Sequence, residues 1–99
     1  MSLNELHYNT INQCPFKTRL AAQREGRLRV LFSSKYFECD TILFKAADKI
    51  NGQVIPTPLG RLVCYSWTPN IKMVETKDGF YAVSISPIYP GKELALGYN

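Results

Sequence analysis

Few side chains in this sequence have the types and spacing that catalysis or metal binding needs. His7 is the only histidine, so a Ser-His-Asp or Cys-His arrangement would depend on that residue alone. A zinc site takes about four ligands, and the three cysteines are widely spaced, without a Cys-x-x-Cys pair. We therefore predict no metal site and interpret Cys14, Cys39 and Cys64 as buried thiols in a reducing compartment.

The acidic residues do not suggest a pair for acid-base chemistry. Several are predicted to lie in loops or turns without evident pairing, namely Glu38, Asp40, Glu75, Asp78 and Glu93. The sequence also has no glycine-rich loop of the kind that cradles a phosphate. The strongest remaining signals are in the last third of the chain.

Two segments of that last third carry an ordered series of motifs. Residues 61–70 read Arg-Leu-Val-Cys-Tyr-Ser-Trp-Thr-Pro-Asn, which predicts a buried first strand followed by a turn at Pro69-Asn70. Residues 88–98 read Ile-Tyr-Pro-Gly-Lys-Glu-Leu-Ala-Leu-Gly-Tyr, in which Pro90-Gly91 is again a turn signal. Candidate binding residues are therefore sought in these two segments.

The elements that would position these segments are predicted to be short strands. Alternation and enrichment in β-branched or aromatic residues predict strands over 27–33, 41–44, 54–55, 71–75 and 80–86. The last two strands are joined by a turn at 76–79, and Asn51-Gly52 predicts a tight hairpin turn.

Three other stretches are less regular. Residues 17–24 fit either a short helix closed by Gly26 or an irregular strand, and the sequence alone leaves both open. Residues 45–49 predict one helical turn. Residues 34–40 predict a polar connection whose two aromatic residues, Tyr36 and Phe37, pack back on the sheet.

Composition is that of an ordinary folded protein. A length of 99 residues, with 45% hydrophobic and 20% charged residues, predicts one small domain over residues 1–99. Many short strands with frequent turns predict a mainly β fold, or a β-rich α+β fold. No apolar run reaches the roughly 20 residues of a membrane helix, and no signal peptide is evident. We expect a soluble intracellular protein, cytoplasmic or, in a eukaryote, nuclear, with no membrane partner.

The net charge of +4 would suit an acidic partner without requiring one. Basic residues cluster between positions 17 and 29, where only Glu25 opposes them. The pattern favours a solvated strand face over a nucleic-acid surface formed by Arg24, Arg27 and Arg29. The reason is that neither exposed aromatic residues nor a recognition helix can be identified beside them.

The order of the two C-terminal segments resembles a SET domain, the β-rich fold of protein lysine methyltransferases. That family has an Arg-φ-φ-Asn-His-Ser-Cys-x-Pro-Asn segment, a hairpin, and then a segment like Ile-x-x-Gly-Glu-Glu-Leu-Thr-φ-Asp-Tyr. The resemblance is best over 61–99 and weaker over 27–44, where Leu28 and Val30 replace the glycines of the family's opening motif. It implies a β-clip of short strands and hairpins with at most one or two short helices.

The resemblance also implies site residues. Tyr98 matches the family's catalytic tyrosine, while Arg61, Cys64, Tyr65 and Asn70 belong to the segment that helps hold S-adenosylmethionine. Cys64 and Tyr65 replace the Asn-His pair of that segment, and a thiol cannot reproduce the donors and acceptors of an amide. The resemblance therefore implies a reshaped or lost cofactor pocket.

The expected function is that of a degenerate SET-like domain, a binding or interaction module without methyltransferase activity and without a cofactor. The alternative is an S-adenosylmethionine-dependent protein lysine methyltransferase with an altered cofactor pocket and Tyr98 as its catalytic residue. The expected partner is a protein or peptide. A small core and exposed strand edges also favour self-association into a homo-oligomer.

Overall fold

Eight short strands and one 3-10 turn make up residues 14–21 and 28–97, which the computed structural model describes. The strands are β1 (Phe16–Ala21), β2 (Leu28–Ser33), β3 (Ile42–Ile50), β4 (Gln53–Pro56), β5 (Cys64–Ser66), β6 (Ile71–Glu75), β7 (Gly79–Ser84) and β8 (Ala95–Gly97). The described ranges contain no α-helix, and their single 3-10 turn is far too short to cross a membrane. The prediction of a mainly β fold is confirmed.

The largest sheet is a curled, antiparallel half-barrel of four strands in the order β4-β3-β7-β6. β1 and β2 form an antiparallel ribbon, and β5 and β8 form a separate parallel pair. Isolated bridges join Phe32 to Glu93 and Phe37 to Ile88. The ribbon and the loop after it therefore lie directly beside the segment that leads into β8.

The predicted strands over 27–33, 54–55, 71–75 and 80–86 agree with the structure to within about two residues at each end. The stretch 17–24, for which the sequence fits either a helix or a strand, is a strand as far as Ala21, and residues 22–24 lie outside the described ranges. β1 pairs with β2 along its full length, and the local sequence does not predict this pairing.

β3 is longer than the sequence predicts. The strand over 41–44 is confirmed, but the helical turn over 45–49 is wrong, because β3 continues to Ile50. Residues 43–47 are all buried, since β3 is a central strand that pairs with both β4 and β7. This pairing overrides the helix propensity of the Lys-Ala-Ala-Asp-Lys run, and two register shifts opposite β7 bend the sheet.

Both predicted hairpin turns are present. Asn51 and Gly52 join β3 to β4 with φ angles of 51° and 80°, the left-handed values that a tight two-residue turn requires. At the β6–β7 turn, a Cβ on Gly79 would lie 2.0 Å from the carbonyl oxygen of Ala47. Glycine at this position therefore permits the close approach of β7 to β3.

The buried core takes residues from the ribbon, the half-barrel and the C-terminal segment. Its fully buried large side chains are Leu31, Leu43, Phe44, Ile71, Ile88 and Leu94. Phe16 of β1 packs edge-on against Phe44, with ring centroids 5.1 Å apart, and stacks on Phe37 at 5.4 Å. The prediction that Phe37 packs back on the sheet is confirmed. The same prediction for Tyr36 is wrong, because that side chain is 45% exposed.

Candidate functional site

Residues 61–70 begin differently from the buried strand that the sequence predicts. Gly60–Leu62 form a 3-10 turn, and β5 has only three residues, none of them fully buried. The turn forms because the buried hydroxyl of Thr57 accepts the backbone N–H of Gly60 at 3.1 Å, and the Thr57 carbonyl accepts that of Arg61 at 3.0 Å. Arg61 is consequently exposed on the turn.

β5 and β8 bring the two C-terminal segments into direct contact. They pair in parallel, with Cys64 opposite Ala95, Tyr65 opposite Leu96 and Ser66 opposite Gly97. A parallel pair needs a long crossover connection, and here the whole β6–β7 hairpin supplies it. The pairing therefore places side chains from both segments on one surface.

Asn70 holds this pair in register. Its Nδ2 donates to the carbonyl oxygen of Glu93 at 2.7 Å, and its Oδ1 accepts the backbone N–H of Ala95 at 2.9 Å. Its own backbone N–H donates to the Ala95 carbonyl at 3.1 Å, and its carbonyl accepts the N–H of Ile85 at 2.9 Å. The residue is only 5% exposed, so its amide acts on the protein's own backbone.

The loop between β5 and Asn70 is ordered by its own side chains. Ser66 Oγ accepts the backbone N–H of Thr68 at 3.0 Å, which closes a compact turn below Trp67. A Cβ on Gly97 would lie 3.4 Å from Pro69 Cγ, so β8 passes close to this loop. Trp67 stands at the tip of the turn and is 82% exposed.

A polar cleft of about 440 Å³ opens on one side of β5. Its charged and polar side chains are Arg19, Cys64, Tyr65, Ser66, Thr68, Lys92 and Glu93. Arg19 Nη2 lies 3.6 Å from Glu93 Oε1 and donates to the Gly91 carbonyl at 3.1 Å, while its guanidinium lies 4.6 Å above the Phe32 ring. Arg19 and Glu93 therefore form an ion pair within the cleft.

The thiol of Cys64 is held in its protonated form. Burial raises its pKa, and the negative charge of Glu93 raises the pKa further. A thiolate is the nucleophilic form, so this cysteine is not activated for chemistry at neutral pH. The prediction of three buried thiols is wrong in detail, because Cys39 is exposed and Cys14 and Cys64 are half-buried.

An apolar groove of about 730 Å³ lies on the other side of β5, between β6 and β8. Its lining includes Tyr65, Pro69, Ile71, Met73, Ile85 and Leu96, with Lys72 as its only charged residue among those described. Tyr65 borders both the groove and the polar cleft, and it is 60% exposed. The surface around β5 thus combines an open apolar depression with two exposed aromatic rings.

The predicted site residues do not all come together. Cys64 and Tyr65 line the polar cleft, whereas Arg61 lines neither cavity. Asn70 lies buried behind them with its amide on backbone groups, and Tyr98 lies outside the described residues.

Sequence reasoning missed the far wall of the cleft, formed by Arg19, Lys92 and Glu93. From the sequence, Glu93 is predicted to be a carboxylate without evident pairing, and Arg19 lies in the stretch 17–24, which fits either a helix or a strand. Within residues 14–21 and 28–97, no group of three or more His, Cys, Asp or Glu side chains is placed to hold a metal ion.

Comparison with known proteins does not assign a family to this chain. No protein-family model matches the sequence, and no curated protein matches it. The function is therefore argued from the site.

Proposed function

We propose that this chain is a minimal SET-like β-clip domain that binds an apolar peptide segment of a partner protein and has no methyltransferase activity. The observation that carries the proposal is the open apolar groove beside β5, with the exposed Trp67 directly after that strand in the chain. Large apolar surface next to an exposed tryptophan is typical of interaction sites.

The SET-like part of the proposal is supported by the way the two C-terminal segments meet. The two segments that carry the resemblance are those paired by β5 and β8. The side chain of Asn70 holds the second segment through hydrogen bonds to the backbone of Glu93 and Ala95. In the family these segments also form one site. The half-barrel of short strands is compatible with a β-clip.

Binding without methyl transfer is supported by the state of the cleft residues. The amide of Asn70 is committed to Glu93 and Ala95, and the thiol of Cys64 is kept protonated. Arg19 and Glu93, which line the same cleft, are paired with each other.

The competing hypothesis is a methyltransferase that holds S-adenosylmethionine in the polar cleft. The cleft volume of about 440 Å³, lined by Cys64 and Tyr65, is the observation that favours it. Arg61 could contribute only by a rearrangement, since it lines neither cavity. Tyr98 follows β8 directly and would be the catalytic residue.

The chemistry of the groove indicates what kind of peptide it takes. Ile71, Met73, Ile85 and Leu96 offer apolar contact, and methionine adapts to differently shaped side chains. Lys72 adds one positive charge at the same surface. A short extended segment with apolar side chains and an acidic flank fits this combination.

The test uses Trp67, the only tryptophan, as a fluorescent reporter. Peptides selected from a display library of random short sequences should be apolar with an acidic flank, and should change the Trp67 emission on titration. The Ile85→Glu variant in the groove should abolish this response, whereas Ile50→Glu, at an exposed position outside the groove, should not.

S-adenosylmethionine and its demethylated product are titrated in parallel, with heat release as a second readout. We expect no binding at millimolar ligand. Micromolar binding that is lost in Cys64→Ala or Tyr65→Ala would overturn the proposal in favour of the methyltransferase. Selected peptides that bind Ile85→Glu as well as the unaltered protein would remove the groove from the proposal.

A further inference from the structure

Several cations of the described residues have no carboxylate partner, and three of them lie at the ribbon end. On the half-barrel, Lys45 binds Asp48 and Asp78, and Lys49 binds Glu75. At the ribbon end, by contrast, no carboxylate of the described residues lies within 4.0 Å of the ammonium groups of Lys17, Lys35 and Lys92. All three lysines are exposed.

Two tyrosine rings stand exposed at this same end. Tyr36 and Tyr89 have ring centroids 5.2 Å apart and an interplanar angle of 56°. They are 45% and 62% exposed. We call this pair the tyrosine platform.

The tyrosine platform is held by backbone hydrogen bonds on both sides. Phe37 and Ile88 exchange two N–H···O bonds of 2.9 Å, which fix the residues next to the two rings. The Ser34 N–H donates to the Pro15 carbonyl at 2.7 Å, and the Lys92 N–H donates to the Tyr89 carbonyl at 3.0 Å. A preorganised pair of rings loses little conformational freedom when a ligand stacks on it.

Lys35 and Lys92 lie beside the tyrosine platform, and Lys17 lies on the adjoining ribbon, opposite Phe32. Gly91, in the turn after Tyr89, donates its N–H to the Ser33 carbonyl at 2.7 Å, and Ser33 donates to the Lys92 carbonyl at 3.1 Å. Lys35 directly precedes Tyr36, with its ammonium 5.4 Å from the Phe37 ring centroid. Cations and stacking rings therefore occur together within this turn and the adjoining loop.

We propose that this end of the molecule binds single-stranded nucleic acid, with Tyr36 and Tyr89 stacking on bases and Lys17, Lys35 and Lys92 contacting phosphates. Stacking rings beside a basic surface are the combination by which proteins hold single strands without reading their sequence. The sequence alone favours a solvated strand face over a nucleic-acid surface at Arg24, Arg27 and Arg29, because it offers no aromatic partner there. The structure supplies the aromatic pair, from residues far apart in the chain.

Single strands fit this surface better than duplexes do. Bases in a duplex are already stacked on each other, so exposed rings gain nothing from them. In addition, the described residues contain no α-helix that could enter a major groove. An acidic peptide would satisfy the lysines but would leave the two rings without a stacking partner. The surface is also separate from the apolar groove, so this inference does not rest on the proposed peptide binding.

The test is fluorescence anisotropy of labelled single-stranded oligonucleotides of roughly 10 nucleotides, the length range of a small single-strand site. Binding should weaken steeply with added salt, because phosphate contacts release counterions. The double variant Tyr36→Ala/Tyr89→Ala should bind about ten-fold or more weakly, whereas Tyr36→Phe/Tyr89→Phe should bind like the unaltered protein.

The lysines are tested separately. Lys35→Ala and Lys92→Ala should weaken binding and lower its salt dependence, whereas Lys77→Ala, an exposed lysine at the β6–β7 turn, should change neither. Circular dichroism spectra should be unchanged in every variant, and Tyr36→Ala and Tyr89→Ala are measured singly if the double variant unfolds.

Three outcomes would overturn the inference. The first is no binding at low salt, and the second is equal binding by the double alanine variant. The third is a duplex of the same sequence, or a poly-glutamate peptide of the same charge, that binds as tightly as the single strand. The second and third would show a surface that responds to charge alone.

Discussion

Asn70 and Ala95 are joined by two reciprocal hydrogen bonds. The Oδ1 of Asn70 accepts the backbone N–H of Ala95 at 2.9 Å, and the Ala95 carbonyl accepts the backbone N–H of Asn70 at 3.1 Å. A side-chain amide here takes the place of a backbone peptide group in a strand pair. The end of one motif is thereby fastened to the start of β8, which fixes the wall between cleft and groove.

Replacing Asn70 with alanine should strongly destabilise the protein. The change leaves the carbonyl of Glu93 and the N–H of Ala95, both in partly buried hydrogen bonds, without their side-chain partner, and each unsatisfied group costs about 1–3 kcal/mol. We expect the free energy of unfolding to fall by about 2–4 kcal/mol, measured by urea denaturation followed by Trp67 fluorescence.

Two further variants test whether the loss of stability comes from these hydrogen bonds. Asn70→Asp keeps the acceptor for Ala95 but brings a carboxylate against the Glu93 carbonyl, so it should also destabilise. Gln53→Ala, at an exposed position of β4, should change the unfolding free energy by less than about 0.5 kcal/mol. Equal midpoints for Asn70→Ala and Gln53→Ala would show that the fastening contributes nothing.

The parts of the fold that could be predicted from sequence are those with local causes. Asn51-Gly52 adopts its turn because asparagine and glycine both tolerate the left-handed backbone conformation, so the residue types alone predict the turn. The strand over 71–75 was also predictable, because the alternation of its apolar and polar residues and the turn that follows it are both local features of the sequence.

The parts that could not be predicted depend on distant partners. Residues 45–49 have helix propensity and become part of β3 only because β4 and β7 pair with it from both sides. In the same way, β1 exists because β2 is there to pair with it.

The candidate site follows the same division. Cys64 and Tyr65 were recognisable from their place in a motif, since the motif is a continuous run of sequence. Arg19 reaches the cleft through the Gly91 carbonyl, a contact between residues 72 positions apart. Tyr36 and Tyr89 likewise meet only because the Phe37–Ile88 bridge brings their segments together. No local pattern encodes such contacts.

Gly60 should tolerate no side chain. A Cβ at this position would lie 1.9 Å from the carbonyl oxygen of Ala46, a backbone atom in the central strand that cannot move away cheaply. Gly60→Ala is therefore expected to lower the unfolding free energy by about 3 kcal/mol, because overpacking of this kind strains the backbone. Thermal unfolding followed by circular dichroism measures the change.

Gly97→Ala is the matched control for this substitution. Among the described residues its Cβ would meet nothing closer than Pro69 Cγ at 3.4 Å, an ordinary contact, so the effect should stay within about 0.5 kcal/mol. If the two glycine variants melt together, the close approach of the 3-10 turn to β3 is not a constraint on the fold.

Asp78 should make stability depend on pH in strongly acidic solution. The hydroxyl of Thr76 donates to its carboxylate at 2.6 Å and Lys45 donates to it at 3.2 Å, and together they lower the pKa of Asp78 from 3.8 to about 2. Because the folded-state pKa is depressed, this contribution is complete above the ordinary value and is lost as the pH falls through about 2.

The pKa of Asp78 is measured by following its carboxyl carbon by nuclear magnetic resonance. Thr76→Val removes the largest cause of the shift, so the pKa should rise towards 3.8. In Asp78→Asn, the difference between the urea midpoints at about pH 5 and about pH 2 should be smaller than in the unaltered protein. A Thr76→Val variant with an unchanged Asp78 pKa would contradict the assignment of that hydroxyl as the main cause.

Cys64 should react slowly with alkylating reagents, and Glu93 should be one reason. Burial and the Glu93 carboxylate both raise the pKa of the Cys64 thiol, so little thiolate is present to attack iodoacetamide near neutral pH. Mass spectrometry of timed samples should show the exposed Cys39 modified well before Cys64.

Glu93→Gln should speed the labelling of Cys64, because the loss of a negative charge lowers the pKa of this thiol, and should leave the labelling rate of Cys39 unchanged. Glu75→Gln, which removes the carboxylate paired with Lys49 instead, should alter neither rate. If Glu93→Gln leaves the Cys64 rate unchanged while unfolding the protein in urea exposes a fast thiol, burial alone protects this residue.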